Sequence, residues 1–283
     1  MKIFSATYRD FVRFDVKPNE DALLVSKKLP IMAVADGVTQ SHYKNGRYAL
    51  PYGAKLAAKI FCKSTVNYLE KSLSENYSLV RTNKRIRNSI NESFDVANQK
   101  IRELNVKHGL ADKRMDYLQH DWFDTVGVAA VVIKNILHYG FVGDCGLAIF
   151  NKHNKKIFQT KDMVRPAIEK FEKIYPDFES FPVGKRTFII RHDFRNNPDK
   201  TGYGSFTGEE NVQHYYAFGT KKLNRGDLVV LYSDGFFNLL KNTEFIKVLR
   251  FRDKKKLDKF VMQKVKENPK KYGDDRTFVS VIV

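Results

Sequence analysis

The chain is poor in cysteine and tryptophan. It has two cysteines and one tryptophan in 283 residues. Two thiols cannot build a disulfide framework, so the small secreted disulfide scaffold is excluded and a reducing compartment is expected. Acids are scarce beside bases. Lys+Arg less Asp+Glu is 50 − 32 = +18. That balance favours anionic partners such as phosphoproteins, nucleic acid or a membrane surface, or else a plain lysine-rich solvated surface. Long apolar runs are missing too. The longest, Val126 to Ile133, is far too short to span a bilayer, so no membrane insertion is expected. Arg9 and Asp10 interrupt the N-terminal stretch before any apolar core forms, so no signal peptide is expected. No repeat, low-complexity tract or Pro/Ser linker divides the chain. A single domain over residues 1–283 is the simplest expectation, with a cytoplasmic location.

What is present points to a core. Hydrophobic residues make up 42% and aromatics 13%, which fits a globular chain rather than a disordered one. The informative stretch is Ile31-Met32-Ala33-Val34-Ala35-Asp36-Gly37-Val38. A continuous apolar run that stops at an acid and a glycine reads as a strand covered on both faces. Leu228 to Tyr232 followed by Ser233-Asp234-Gly235 repeats the pattern, and His138 to Val142 followed by Gly143-Asp144 resembles it. Two acid pairs sit instead at strand starts: Glu20-Asp21 before Ala22 to Val25, and Asp274-Asp275 before Thr277 to Val283. In antiparallel pairing the end of one strand lies beside the start of the next. All these carboxylates could therefore gather on one edge. Such a cluster needs counter-charge, and hard divalent cations with oxygen ligands supply it without His or Cys.

The remaining pattern fills in the elements. Strands are expected over 2–8, 125–133, 136–142 and 147–150, with Lys134-Asn135 as a hairpin turn. Leu50, Ala54, Ala57, Ala58 and Phe61 share one face of a helix that starts near Leu50. Ile86, Ile90, Phe94, Ala97, Ile101 and Leu104 stripe a second helix over about 79–107, whose other face carries Arg81, Lys84, Arg85 and Arg87. Residues 151–220 are the least regular: a helix around 163–174, a strand at 186–192, and loops at 195–208. This stretch is expected as an insertion over the site. Short helices at 236–240 and 254–266 precede the last strand.

Taken in order, Asn19-Glu20-Asp21-Ala22, Val34-Ala35-Asp36-Gly37-Val38, Val142-Gly143-Asp144-Cys145, Ser233-Asp234-Gly235 and Asp274-Asp275-Arg276-Thr277 resemble the metal-dependent serine/threonine phosphatases of the protein phosphatase 2C (PPM) family, over nearly the whole chain. The resemblance implies an α+β fold: a four-layer α-β-β-α sandwich of two antiparallel sheets flanked by helices. It implies two Mn²⁺ or Mg²⁺ ions bridged by Asp36, with the Gly37 carbonyl on the first and Asp234 and Asp274 on the second. Glu20 and Asp21 would hold metal-bound waters or complete the coordination, and Asp144 with Asp234 matches a third-metal position. A water between the two ions would attack phosphorus in line. The implied substrate is a phosphoprotein, with a cognate kinase or its target as partner.

Several positions depart from the family pattern. Val16 stands where the family often has a phosphate-contacting arginine; Lys17, Arg13 or Arg9 could substitute, out of register, and Lys17 is the chosen candidate. Thr39-Gln40 replaces a Gly-Gly, Asp124-Thr125-Val126 replaces Gly-Thr-Thr, and Cys145 and Gly146 replace a serine and an arginine. Asp275 replaces an asparagine. His42 offers a proton donor or is a surface residue. The metal acids persist while substrate-contacting positions drift. Two further readings follow: a phosphatase-fold regulatory module with weak catalysis, and a nucleic-acid binder suggested by charge alone, for which no recognised motif is present.

Overall fold

The computed structural model describes residues 2–12, 17–39, 52–74, 82–110, 122–199 and 202–283. Ten strands form two antiparallel sheets. β1 (Lys2–Tyr8), β10 (Arg276–Ile282), β9 (Leu228–Tyr232), β6 (Gly146–Phe150) and β7 (Lys156–Gln159) make one sheet in that order. β2 (Ala22–Val25), β3 (Ile31–Gly37), β4 (Thr125–Ile133), β5 (Ile136–Val142) and β8 (Ala217–Lys222) make the other. The two-residue side-chain period of a strand sorts the core. Met32 and Val34 of β3, with Val126, Val128, Ala130 and Val132 of β4, meet Val229 and Leu231 of β9 and Val279 and Val281 of β10 between the sheets. Ile31, Ala33 and Ala35, with Ala129 and Val131, face the opposite way, onto helices. Strands buried on both faces must be apolar at every position, which explains the unbroken runs.

Those helices are α1 (Gly53–Ser74) and α2 (Asn83–Lys107). Ala54, Ala57, Ala58 and Phe61 of α1 are buried as their spacing predicts, as are Ile86, Ile90, Phe94, Ala97 and Ile101 of α2. Thr82 caps α2 by accepting the Arg85 amide. α1 begins at Gly53; Leu50 lies outside the described residues. α3 (Arg165–Ile174) and α4 (Val183–Phe188) lie between β7 and β8 in the chain, and α5 (Thr243–Phe251), α6 (Lys254–Glu267) and the single turn α7 (Pro269–Tyr272) follow β9. Phe245, Ile246 and Leu249 of α5 and Leu257, Val261 and Val265 of α6 pack on Val230, Tyr232 and Phe278. The layers therefore run helix, sheet, sheet, helix, as the resemblance implied.

The expected strand at 186–192 is not formed. Those residues lie in α4 and in a π-helical turn, Ile189–Phe194. Thr, Phe and Ile favour a strand by propensity, but burial decides here. Ile189 and Phe194, five residues apart, share one face of the wide turn and pack with Ala167, Phe171 and Tyr203. The sequence period also did not show β7 and β8, which are short edge strands with half-exposed residues. The expected helix at 236–240 is two 3-10 turns, Asp234–Phe236 and Leu239–Lys241, and α5 was not foreseen.

Candidate metal centre

Each acid reaches the site by strand geometry. Asp36 continues the parity of Met32 and Val34, so the intersheet face of β3 ends in a carboxylate. Gly37 must be a glycine: a Cβ would sit 2.5 Å from the Ala54 carbonyl oxygen and 2.8 Å from that of Glu20. β2 pairs with β3 so that Ala22 faces Ala35, which brings Asp21 beside Asp36. Gly143, at φ +79, turns the chain after β5 and presents Asp144. Asp234 follows β9, and Asp274 precedes the neighbouring β10.

Both sheets thus contribute acids to one cavity of about 310 Å³. Asp36, Gly37, Asp144, Asp234, Asp274 and Lys17 line it. Glu20 and Asp21 lie beneath, nearly fully buried. Ser233 Oγ donates to Asp21 Oδ2 at 2.7 Å, and Thr39 Oγ1 donates to Glu20 Oε2 at 2.9 Å. Asp21 Oδ1 is enclosed without a hydrogen-bond partner. Burial pushes the Asp21 carboxyl up to about 8, and the Asp275 and Asp234 charges add to it. Asp144 is pushed to about 8, by burial first and then by Asp234. Asp36 is raised well above the usual carboxylate range by burial and by Asp21, Asp234 and Asp144. Asp234 is raised as well, by burial first, with the Asp274 charge adding to it. These groups repel unless protons or cations separate them.

Lys17, the candidate phosphate contact, is held inside the acid cluster. Its Nζ lies 2.8 Å from Asp275 Oδ2 and 3.0 Å from Glu20 Oε2, with Asp274 at 3.8 Å and Asp10 at 3.9 Å. Burial alone would lower its pKa; the Glu20 and Asp275 carboxylates outweigh that and keep it protonated. Among the described residues, the other cation lining the cavity is Arg191, from the π-helical turn. Its Nη1 donates to the Tyr203 hydroxyl at 3.0 Å and lies 3.5 Å from Asp124 Oδ2. Sequence reasoning missed Arg191 because the segment reads as a strand. Arg13, Val16 and His42 lie outside the described residues. Val164, Ala167, Ile168, Phe171, Ile190 and Phe194 make the cavity's apolar wall.

Among the described residues, no three acid, His or Cys side chains close round a point as a finished metal site. The donor set nonetheless suits hard divalent cations. It is all oxygen, it carries excess negative charge, and it includes the orphaned Asp21 Oδ1.

No protein-family model and no curated protein matches the chain by sequence. Solved structures do match it. A Mycobacterium tuberculosis serine/threonine phosphatase, PstP/Ppp, is similar over 100% of this chain and 98% of its own, at a TM-score of 0.61 and 14% identity. A serine/threonine phosphatase of S. agalactiae is similar over 100% and 99%, at 0.58 and 20% identity. The catalytic domain of PstP in complex with two manganese ions is similar over 100% and 98%, at 0.57 and 15% identity. This chain has the protein phosphatase 2C fold. Lys17 lies against both acids of the Asp274-Asp275 pair and offsets part of their charge. Cys145 is a buried free thiol in the intersheet core.

Proposed function

We propose that this protein is a metal-dependent phosphoprotein phosphatase that hydrolyses phosphoserine or phosphothreonine. The carrying observation is the meeting of acids from four strand ends and both sheets in one cavity, beside the buried, partnerless Asp21 Oδ1. Asp36, the Gly37 carbonyl, Asp234 and Asp274 would hold two Mn²⁺ or Mg²⁺ ions. Glu20 and Asp21 would complete the set through water, and Asp144 with Asp234 would serve a third ion. Two such ions would neutralise phosphate oxygens and make water a better nucleophile.

The chain's own groups have distinct tasks. Ser233 and Thr39 fix the rotamers of Asp21 and Glu20. Arg191 is the side chain placed to meet phosphate oxygens, since Lys17 is committed to Glu20 and Asp275. The wall of Ile168, Phe171 and Ile190 excludes water and would receive apolar groups beside the phosphorylated residue. Water adds to phosphorus, the Ser or Thr oxygen leaves with a proton, and inorganic phosphate is released. The partner is a phosphoprotein, a kinase or its target. Two buried free thiols and a basic surface suit the cytoplasm; among the described residues no helix is long and apolar enough to cross a membrane.

A second reading, a regulatory module with weak catalysis, is favoured by Lys17, whose ammonium already serves the acid cluster as an internal cation. One assay separates the two. Hydrolysis of p-nitrophenyl phosphate is measured with Mn²⁺, with Mg²⁺ and with EDTA, beside Asp36→Asn. Metal-dependent turnover lost in Asp36→Asn supports the enzyme. A folded protein that binds Mn²⁺ and turns over nothing sinks it.

A further inference from the structure

A second cavity lies on the outer face of the β2–β8 sheet and shares no residue with the acid site. Its volume is about 290 Å³. Asn83, Lys84 and Arg87 of α2 close it from above, and His138 of β5 with Phe218 and Thr220 of β8 from below. Strand parity explains the floor. Leu137, Tyr139 and Phe141 point between the sheets, so His138 points toward α2. His138 is 2% exposed, and its Nδ1 has no hydrogen-bond partner. A buried polar nitrogen left unpaired is costly, so the position favours a ligand that can engage the ring.

The roof is positive three times over. The first amides of α2 have no acceptor within the helix. Thr82 Oγ1 takes the Arg85 amide, and among the described residues those of Asn83 and Lys84 have no acceptor. The helix dipole adds partial positive charge there, and no acid in the first turn offsets it. Lys84 and Arg87 contribute two full charges. The Arg87 guanidinium lies over the Phe218 ring, 5.3 Å from its centroid, a cation–π contact that holds it at the cavity. Bases crowded on a helix start work against the dipole unless something anionic sits between them.

We infer that this cleft is a second ligand site, binding a phosphate-type oxyanion between the α2 N-terminus, Lys84, Arg87 and His138. The oxyanion could be free phosphate or a phosphorylated segment of a protein, and either would sit away from the acid site. The inference does not depend on catalysis.

Isothermal titration calorimetry tests it on the full chain in EDTA, at fixed ionic strength, with inorganic phosphate and with a phosphoserine peptide. Lys84→Met/Arg87→Met should weaken binding on the order of tenfold or more. Asn83→Asp is the second variant. It adds an acid where the helix dipole welcomes one, so the fold is retained, and it should repel the ligand to a similar degree. Phosphate bound as tightly as the peptide identifies a free oxyanion; a peptide at least about tenfold tighter identifies a phosphoprotein. Binding unchanged in Lys84→Met/Arg87→Met and in Asn83→Asp, or no binding of either probe, overturns the inference.

Discussion

Lys17 and Asp275 form a buried ion pair, 2.8 Å from Nζ to Oδ2, in the wall of the acid cavity. Asp275 also accepts the Asp10 amide at 2.6 Å and the Glu20 amide at 3.0 Å, so the pair ties the loop before β2 to the start of β10. Removing one partner leaves an uncompensated buried charge. Lys17→Met is expected to cost about 3–5 kcal/mol in urea denaturation. Lys17→Met/Asp275→Asn should recover a good part of that. A loss in the double variant equal to the sum of the two singles would show that the charges do not act as a pair.

The carboxylates set the response to pH. Asp21 and Asp144 are pushed from the ordinary 3.8 to about 8, chiefly by burial. The folded chain therefore keeps protons that the unfolded chain releases. Their contribution to stability is complete below pH 3.8 and is lost as pH rises through about 8. Metal-free protein should show a Tm that falls across this window, beyond any acid unfolding at its low end. Mn²⁺ should restore more stability at its upper end, where fewer protons compete for the oxygens. Thermal melts with Mn²⁺ and with EDTA at several pH values check this. An equal metal effect at every pH refutes it.

Arg191 should matter for substrate and not for metal. Arg191→Met removes a charge-assisted contact worth about 1.5–3 kcal/mol, so kcat/KM for p-nitrophenyl phosphate should drop about 10- to 100-fold. Mn²⁺ binding should stay as it was. Arg195, 3.7 Å from Asp124, remains to balance that acid, so the fold survives. Unchanged kcat/KM would remove Arg191 from the phosphate subsite.

Gly37 is constrained by backbone on two sides. In Gly37→Ala the new methyl meets the Ala54 and Glu20 carbonyl oxygens, and neither belongs to a flexible side chain. Overpacking of about 3 kcal/mol is expected, with loss of Mn²⁺ affinity because Asp36 moves with the strand end. A variant with wild-type Tm and wild-type Mn²⁺ binding contradicts the close approach.

Much of the fold is legible because burial on both faces forces unbroken apolar runs. The β3, β4 and β9 strands declare themselves that way, and the acids stand out as the points where the runs stop. Residues 156–159 and 217–222 are silent, since an edge strand half in solvent needs no such run. Residues 186–194 mislead, because Ile189 and Phe194 are spaced for a π-helical turn and β-branched propensity says otherwise. Lys17 is legible as a base near the acids, while its place among Glu20, Asp274 and Asp275 is not.

The sequence by itself determined the buried strands, their order of acids and the balance of charge, since each is a local pattern of side chains along the chain. Only the tertiary structure decided which cations face the cavity. Lys17 turns into the acid cluster, Arg191 lines the acid cavity, and His138 shares a second cavity with the first residues of α2. These are contacts between segments far apart in the chain. They follow from how the sheets and helices pack, and no spacing along the sequence encodes them.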